Sequence, residues 1–426
     1  MEILLVGGAI RNLLLGRPAA DKDFLVLGAT ETEFRRRFPA ARRVGKTFPV
    51  FWVDGHEYAF PRGDSTAPPG ITRFSTGELD RPEPAAPGIP ESKTAESRPG
   101  ADLLPAAAQP AAALDAQLDA DLRARDFTIN AMALAEDGAL YCHPLALEDL
   151  RDRVLRPASP RALRDDPLRV FRAARFLSQL PELAPHPELL ATMRECARDG
   201  LTAAQLPERV GAEVRKALRS ERPGRFLERL AETGNLAPWL AELERGRGVP
   251  AGPPQHHDRD VVGHTAEIMD RCAGKGELVV WMALCHDLGK GLTRPAALPR
   301  HHGHDRAGES EARTLGERLR LPTRHIEAGA VAARRHMVAA RYDELRPGTR
   351  ADLLAALHAK RLSRELFELV LADSGNDFRE RAARDLETIL AVPLPPELRD
   401  LGAESGERLR RLRAEALARE DNRSAG

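Results

Sequence analysis

The chain has 426 residues, too many for one small core, and the length argues for two to four domains. Its 42% hydrophobic and 30% charged content is that of a water-soluble globular protein, and no apolar run is long enough to span a bilayer. Lys plus Arg and Asp plus Glu balance at 64 each, so a nucleic-acid partner cannot be argued from net charge and needs a local basic face.

Four cysteines without metal-type spacing fit a reduced, cytoplasmic setting, and no basic leader precedes the first apolar segment. Ile3-Leu4-Leu5-Val6 reads as a strand, and Gly7-Gly8-Ala9-Ile10-Arg11 turns it into a short helix that Gly16 ends. A second strand opens with Asp21-Lys22-Asp23. Side chains alternate along a strand, so Asp21 and Asp23 share a face, where two carboxylates repel unless a cation sits between them. Oxygen ligands of this kind suit Mg²⁺ that also holds a substrate's phosphates. Residues 48–53 and 57–60, joined through Asp54-Gly55, read as a hairpin that completes a small mixed sheet. Glu57 is either a third carboxylate or a surface strand residue, and Arg62 follows the last strand.

From Gly63 to about Ala113, Pro, Ala, Gly, Ser and Thr dominate and apolar periodicity vanishes, which reads as a loop or insertion. Order returns at Arg125-Asp126-Phe127-Thr128-Ile129-Asn130-Ala131. Asp165-Asp166-Pro167-Leu168-Arg169 then opens a helix, with Asp165 as the expected N-cap. Leu168, Phe171 and Ala174 form its apolar stripe, and Arg169, Arg172 and Arg175 form a basic one, which either meets an anion or is a solvated face.

The C-terminal half is rich in histidine. His256, Asp260 and His264 are spaced to share a helix face, followed by Cys285-His286-Asp287-Leu288-Gly289-Lys290, by His301, His302 and His304, and by His336. Mixed imidazole and carboxylate donors favour a transition metal over Mg²⁺. From about Arg379 the chain reads as short helices with a disordered end.

In this order, Gly-Gly-x-x-Arg with Asp-x-Asp, Arg-Asp-Phe-Thr-Ile-Asn-Ala, Asp-Asp-Pro-Leu-Arg and His-Asp-Leu-Gly-Lys resemble the bacterial class II CCA-adding tRNA nucleotidyltransferases. The resemblance is to the multifunctional form, which carries a fused HD phosphohydrolase domain. It implies an α+β fold: a polymerase-β-type mixed-sheet head over 1–145, a helical neck and body over 146–247, an HD domain over 248–380 and a helical tail over 381–426. It implies addition of CCA to the tRNA 3′ end from CTP and ATP without a template, with Asp21 and Asp23 holding Mg²⁺. Gly8, Arg11, Arg125, Arg172 and Arg175 are then nucleotide-binding, and Asp166 and Arg169 read the edge of the incoming base. In the HD domain the resemblance assigns a divalent transition metal such as Ni²⁺ or Mn²⁺ to His264, His286, Asp287 and Asp377, with Asp373 competing for the last place. Phosphate falls to Lys290, His302 and His304. The HD activity implied is hydrolysis of 2′,3′-cyclic phosphates and phosphomonoesters.

Two departures stand out. Asn12 occupies a position where the family usually has Asp. The stretch after Arg62 lacks the family's Thr-Glu-Arg-Lys-like continuation, in a loop that helps the switch from C to A. CC-addition alone, poly(A) synthesis, or an HD phosphohydrolase with an inactive head are the alternatives. Monomer and dimer are both open.

Overall fold

A computed structural model describes residues 1–19, 22–44, 50–61, 72–75, 109–110, 116–255, 258–400 and 402–424. Asp21, Arg62 and His256 lie outside the described residues. The chain divides into two compact units, one of residues 1–169 with 182–195, the other of 170–181 with 196–426.

The first unit is built on a mixed sheet. Its strands are β1 (Glu2–Val6), β2 (Asp23–Leu27), β3 (Arg42–Val44), β4 (Val50–Val53), β5 (His56–Ala59), β6 (Thr72–Ser75), β7 (Gln109–Pro110), β8 (Met132–Leu134) and β9 (Ala139–Cys142). Their spatial order is β3-β4-β5-β2-β1-β8-β9-β6-β7. Only the β2–β5 pair is parallel among the described pairs of this sheet; the others are antiparallel. The expected hairpin is β4–β5. The sheet is larger than the four strands expected: β3, β8 and β9 join it from stretches not read as strands, and β6 and β7 lie inside the Pro/Ala-rich stretch read as a loop. Composition masked them, since backbone pairing to β9 rather than apolar alternation places β6.

Helices α1 (Gly8–Leu14), α2 (Glu31–Arg37), α3 (Ala116–Arg123), α4 (Ala146–Arg151) and α5 (Ala162–Asp165) belong to the same unit. The strand period of two sorts the central side chains. Leu4, Val6, Leu25, Leu27 and Ala133 pack with Leu118 and Leu122 of α3. Leu5, Met132, Leu134 and Leu140 pack with Ala9 and Ile10 of α1 and with Ala146 and Leu147 of α4. Both faces are covered, which explains why β1 and the end of β2 read as unbroken apolar runs. The polar start of β2, at Asp23, is the part left exposed.

Next come α6 (Leu168–Gln179) and α7 (Pro187–Arg198), then α8 (Pro207–Leu218), α9 (Pro223–Thr233) and α10 (Ala241–Glu244). The rest of the second unit is α11 (Val261–Arg271), α12 (Glu277–Cys285), α13 (His304–Arg318), α14 (Thr323–Ala339), α15 (Pro347–Lys360), α16 (Ser363–Ser374), α17 (Arg379–Ala391) and α18 (Ala403–Ser424). Val279 to Cys285 of α12 are all buried, so this helix is apolar all round and is wrapped by α11, α14 and α16.

The C-terminal segment is more ordered than its composition suggested. Helix α18 runs unbroken to Ser424, because Leu417 is buried and Asp421 pairs with Arg350 and Arg381. No helix among the described residues is long and apolar enough to cross a membrane.

Candidate active sites

In the first unit, the β1–α1 turn sets the geometry. Gly7 has φ 75°, a left-handed conformation that favours glycine, and a Cβ there would lie 2.8 Å from Arg125 Nη1. Arg125 therefore sits directly over the turn, held by Asp121 at 2.8 Å from one turn earlier. The two motifs meet a second time beneath the turn. Arg11 Nη1 donates to Asn130 Oδ1 at 2.6 Å, and Asn130 Nδ2 donates to Asp126 Oδ1 at 3.0 Å. Arg11 is only 7% exposed, with Nε and Nη2 both donating to Asn12 Oδ1. It braces the two motifs from inside, where the sequence reading had it facing a triphosphate.

The unusual Asn12 has a local reason. Its Oδ1 accepts from Arg11, as a carboxylate would, while its Nδ2 donates to the Pro18 carbonyl at 3.1 Å, which a carboxylate cannot do.

Asp23 is exposed at the start of β2, in register with Val6 of β1 and with Glu57 of β5. Glu57 is exposed too, so a second carboxylate occupies the strand position neighbouring Asp23.

Asp166 Oδ1, rather than Asp165, accepts from a backbone amide at the start of α6, that of Leu168 at 3.2 Å; Asp165 is the last residue of α5. Arg169 donates to the carbonyls of Ala162 and Arg125, at 3.1 and 3.2 Å, and of Ala124, at 2.5 Å. Its guanidinium thus fastens the segment carrying Arg125.

The remaining arginines of α6 belong to the second unit and require a correction. Arg175 is 6% exposed, and its Nε donates to Glu213 Oε2 of α8 at 2.5 Å; the guanidinium also lies over the Phe176 ring. Arg172 is 4.0 Å from the same carboxylate. The basic stripe is partly neutralised by Glu213, an acid 38 residues downstream of Arg175, and Arg175 is a buried brace. Glu213→Ala leaves that buried guanidinium without its carboxylate, though Gln179 still accepts from it, and breaking one side of a buried pair costs about 3–5 kcal/mol. Equilibrium denaturation should register that loss of stability.

The histidine cluster of the second unit is assembled from five segments. His264 lies in the first turn of α11, whose N-cap is Asp260; Asp260 accepts from Gly263 and Gly248 amides and so caps the helix rather than joining the cluster. His286 and Asp287 follow α12. His304 opens α13, His336 lies near the end of α14, and Asp373 near the end of α16. Gly289 makes the assembly possible, because a Cβ there would fall 2.0 Å from the His304 carbonyl oxygen. Without a side chain the turn after Asp287 seats against the start of α13.

Two triads result. His264 Nε2, His286 Nε2 and Asp373 Oδ1 are separated by 3.4, 3.2 and 3.9 Å. Asp287, His304 and His336 form the other. Asp287 Oδ2 lies 3.1 Å from His286 Nε2 and 3.6 Å from His264 Nε2, so this residue reaches both groups.

Electrostatics match a cationic centre. Burial would lower the His286 pKa, but Asp287, with help from Asp373, overcomes it and raises it to about 9. Burial likewise opposes charge on Asp373, yet the hydrogen bond from His264 and the nearby His286 lower it to about 2. Asp287 is 2% exposed and its Oδ1 has no hydrogen-bond partner among the described residues. An orphaned buried carboxylate oxygen beside inward-facing imidazoles fits a divalent metal, and the nitrogen-rich donor set fits a transition metal.

Three sequence expectations need correcting here. Asp377 is outside the cluster: its side chain is 47% exposed and paired with Arg379, which lowers its pKa to about 2. Helix α16 ends at Ser374, so Asp373 is carried on the helix and Asp377 falls beyond it. His302 is exposed, whereas His304 is drawn into the second triad. Lys290 is buried, bonding Asp287 Oδ2 at 2.6 Å and the Ala251 carbonyl at 2.7 Å, and so neutralises a carboxylate where a phosphate contact was expected. The sequence reading left His336 without a role; its separation from His304 by the α13–α14 hairpin hid the pairing.

Sheet head and histidine-lined helical unit together define a polymerase-β-type nucleotidyltransferase fused to an HD domain. The HD domain family model matches residues 256–374, and the model described as a probable RNA and SrmB-binding site of polymerase A matches 182–246. The multifunctional CCA protein of Stenotrophomonas maltophilia strain K279a is 35% identical over 98% of this chain and 99% of its own length. That of Aromatoleum aromaticum is 36% identical over 89% and 85%. The chain belongs to the multifunctional CCA protein family. Its fold is also that of the Bacillus stearothermophilus CCA-adding enzyme crystallised with CTP, with a TM-score of 0.59 at 22% identity, covering 99% of this chain and 94% of that one.

Proposed function

We propose that this chain rebuilds the 3′ end of tRNA, adding C, C and A from CTP and ATP without a template. Its HD domain hydrolyses 2′,3′-cyclic phosphates and phosphomonoesters, which clears damaged ends before addition. The observation that carries this reading is full-length likeness to multifunctional CCA proteins in a chain that keeps both an exposed β2 carboxylate and a buried His/Asp cluster.

In the head, Asp23, with Asp21, holds Mg²⁺, which when bound supplies charge neutralisation for phosphoryl transfer. The Gly7-Gly8 turn lets phosphates approach the backbone, and Arg125 above it pairs with their charge. Arg11 keeps the turn in place through Asn130. Asp166 accepts from an exocyclic amino group and Arg169 donates to a ring nitrogen, a pair of features that cytosine and adenine share. Because Arg169 also holds the carbonyls beside Arg125, reading the base and gripping the triphosphate are linked through one side chain.

In the HD domain, His264, His286, Asp287 and Asp373 hold a transition metal such as Ni²⁺ or Mn²⁺, which when bound supplies Lewis-acid polarisation of a phosphoryl oxygen. Lys290 balances the charge of Asp287 and fixes its orientation.

The test uses a tRNA lacking its terminal CCA, labelled CTP and ATP separately and together, and Mg²⁺. Two C residues and one A are expected. C without A would point to a CC-adding enzyme, long A tracts from ATP alone to a poly(A) polymerase, and phosphate release with no incorporation to an inactive head.

A further inference from the structure

We propose that Trp52, with Arg42 beside it, is the platform on which the unpaired 3′-terminal base of the tRNA stacks while its hydroxyl is extended. This rests on the reading of the head as a nucleotidyltransferase and names the side chain that holds the growing end. Strand register carries it. Val6 of β1 lies opposite Asp23 of β2, Asp23 opposite Glu57 of β5, Glu57 opposite Trp52 of β4, and Trp52 opposite Arg42 of β3. Residues directly opposite one another point to the same face, so these side chains form one row across the sheet. Phe51 and Val53 turn the other way, into the core with Phe34 of α2.

Trp52 is 44% exposed, although β4 is flanked on both sides, by β3 and β5. Its row neighbours Arg42 and Glu57 are exposed as well. A single exposed apolar side chain needs no explanation on its own, but its place in this row does. Two strand spacings of about 4.8 Å put the Trp52 backbone about 10 Å from that of Asp23, on the side away from Val6 and the Gly7-Gly8 turn. The triphosphate belongs at that turn, under Arg125. In phosphoryl transfer the attacking and leaving oxygens lie roughly in line across the transferred phosphorus. With pyrophosphate leaving on the turn side of Asp23, the attacking hydroxyl approaches from the Trp52 side. The incoming base is read elsewhere, by Asp166 and Arg169, so the base brought to Trp52 is that of the RNA. An indole face stacks on any base, which suits a site whose terminal base changes as the end grows. Arg42 places a positive charge beside the phosphate that precedes that base.

Trp52 is also its own probe. The chain has three tryptophans, and Trp239 and Trp281 are buried. An acceptor-stem RNA with one unpaired 3′ nucleotide, titrated without CTP, should quench the fluorescence of the intact chain, and Trp52→Phe should remove that quenching. In steady-state C addition, Trp52→Ala should raise the KM for the same RNA about 5- to 150-fold, the range of one lost base stack, with the KM for CTP nearly unchanged. Trp52→Phe, which keeps an aromatic face, should stay near the intact KM. Quenching by CTP alone and not by RNA overturns the proposal, since the occupant is then the incoming base. So does quenching that persists in Trp52→Phe, or an RNA KM that Trp52→Ala leaves unmoved. In each of these cases continued C addition by the intact chain keeps the catalytic reading standing. RNA quenching without any incorporation would instead sink the catalytic reading and leave RNA bound at Trp52.

Discussion

Asp23→Ala should abolish nucleotide incorporation while leaving phosphohydrolysis by the HD domain intact. The expectation rests on position. Asp23 is the first residue of β2, exposed at the end of a strand whose remaining residues become progressively buried, and it is registered beside Val6 at the mouth of the Gly7-Gly8 turn. Lewis-acid stabilisation of a transferring phosphoryl group is worth several kcal/mol. At about 1.4 kcal/mol per tenfold, losing it slows incorporation by about 10³-fold or more. The measurement is single-turnover addition of labelled C to a tRNA ending before its CCA. Undiminished incorporation would place the catalytic metal elsewhere. Glu57 supplies an internal comparison, because it neighbours Asp23 across the parallel β2–β5 pair. Glu57→Gln should slow incorporation severely if that carboxylate shares the ion, and leave it near the intact rate if it is only a surface residue.

Local signals carried the head into view. An apolar run, two glycines, a short helix and an alternating acidic strand each follow from neighbours within a few residues. Where a partner lies far along the chain, spacing was silent. The period of three along α6 placed Arg172 and Arg175 on one face correctly but could not reveal Glu213, which converts part of that face into a buried ion pair. Asp373 and Asp377 are four residues apart and equally plausible by type. The end of α16 at Ser374 separates them, and helix ends are the least legible feature of a sequence. His336 was visible as a histidine but not as a member of the cluster, because its partners are 32 and 49 residues away and meet it only when α13 and α14 pack. The strands at 72–75 and 109–110 were hidden for a different reason: their segment lacks the alternation that marks a half-buried strand.

Asp287→Asn should eliminate phosphohydrolysis and reverse the pH response of the metal-free chain. In the intact sequence Asp287 lies 2.6 Å from Lys290 and 3.1 Å from His286, and two imidazoles face its other oxygen. The amide preserves shape but removes the charge at the centre of the cluster, so transition-metal retention should fall with it. The pH argument follows from His286. Without metal its folded-state pKa is raised from 6.5 to about 9, chiefly by Asp287 against the opposing effect of burial. A raised pKa means that the protonated ring stabilises the fold below about pH 6.5, and that this stabilisation disappears as pH climbs through 9. Chelated intact protein should therefore lose thermal stability across that interval. In Asp287→Asn only Asp373 still opposes burial, so the His286 pKa falls, and lowering the pH forces a charge into a buried site. The chelated variant should then gain stability as pH rises through the ordinary histidine range. Melting curves of the two chelated proteins between pH 5 and pH 9 read the sign directly. Parallel curves would show that Asp287 does not set the charge state of the cluster.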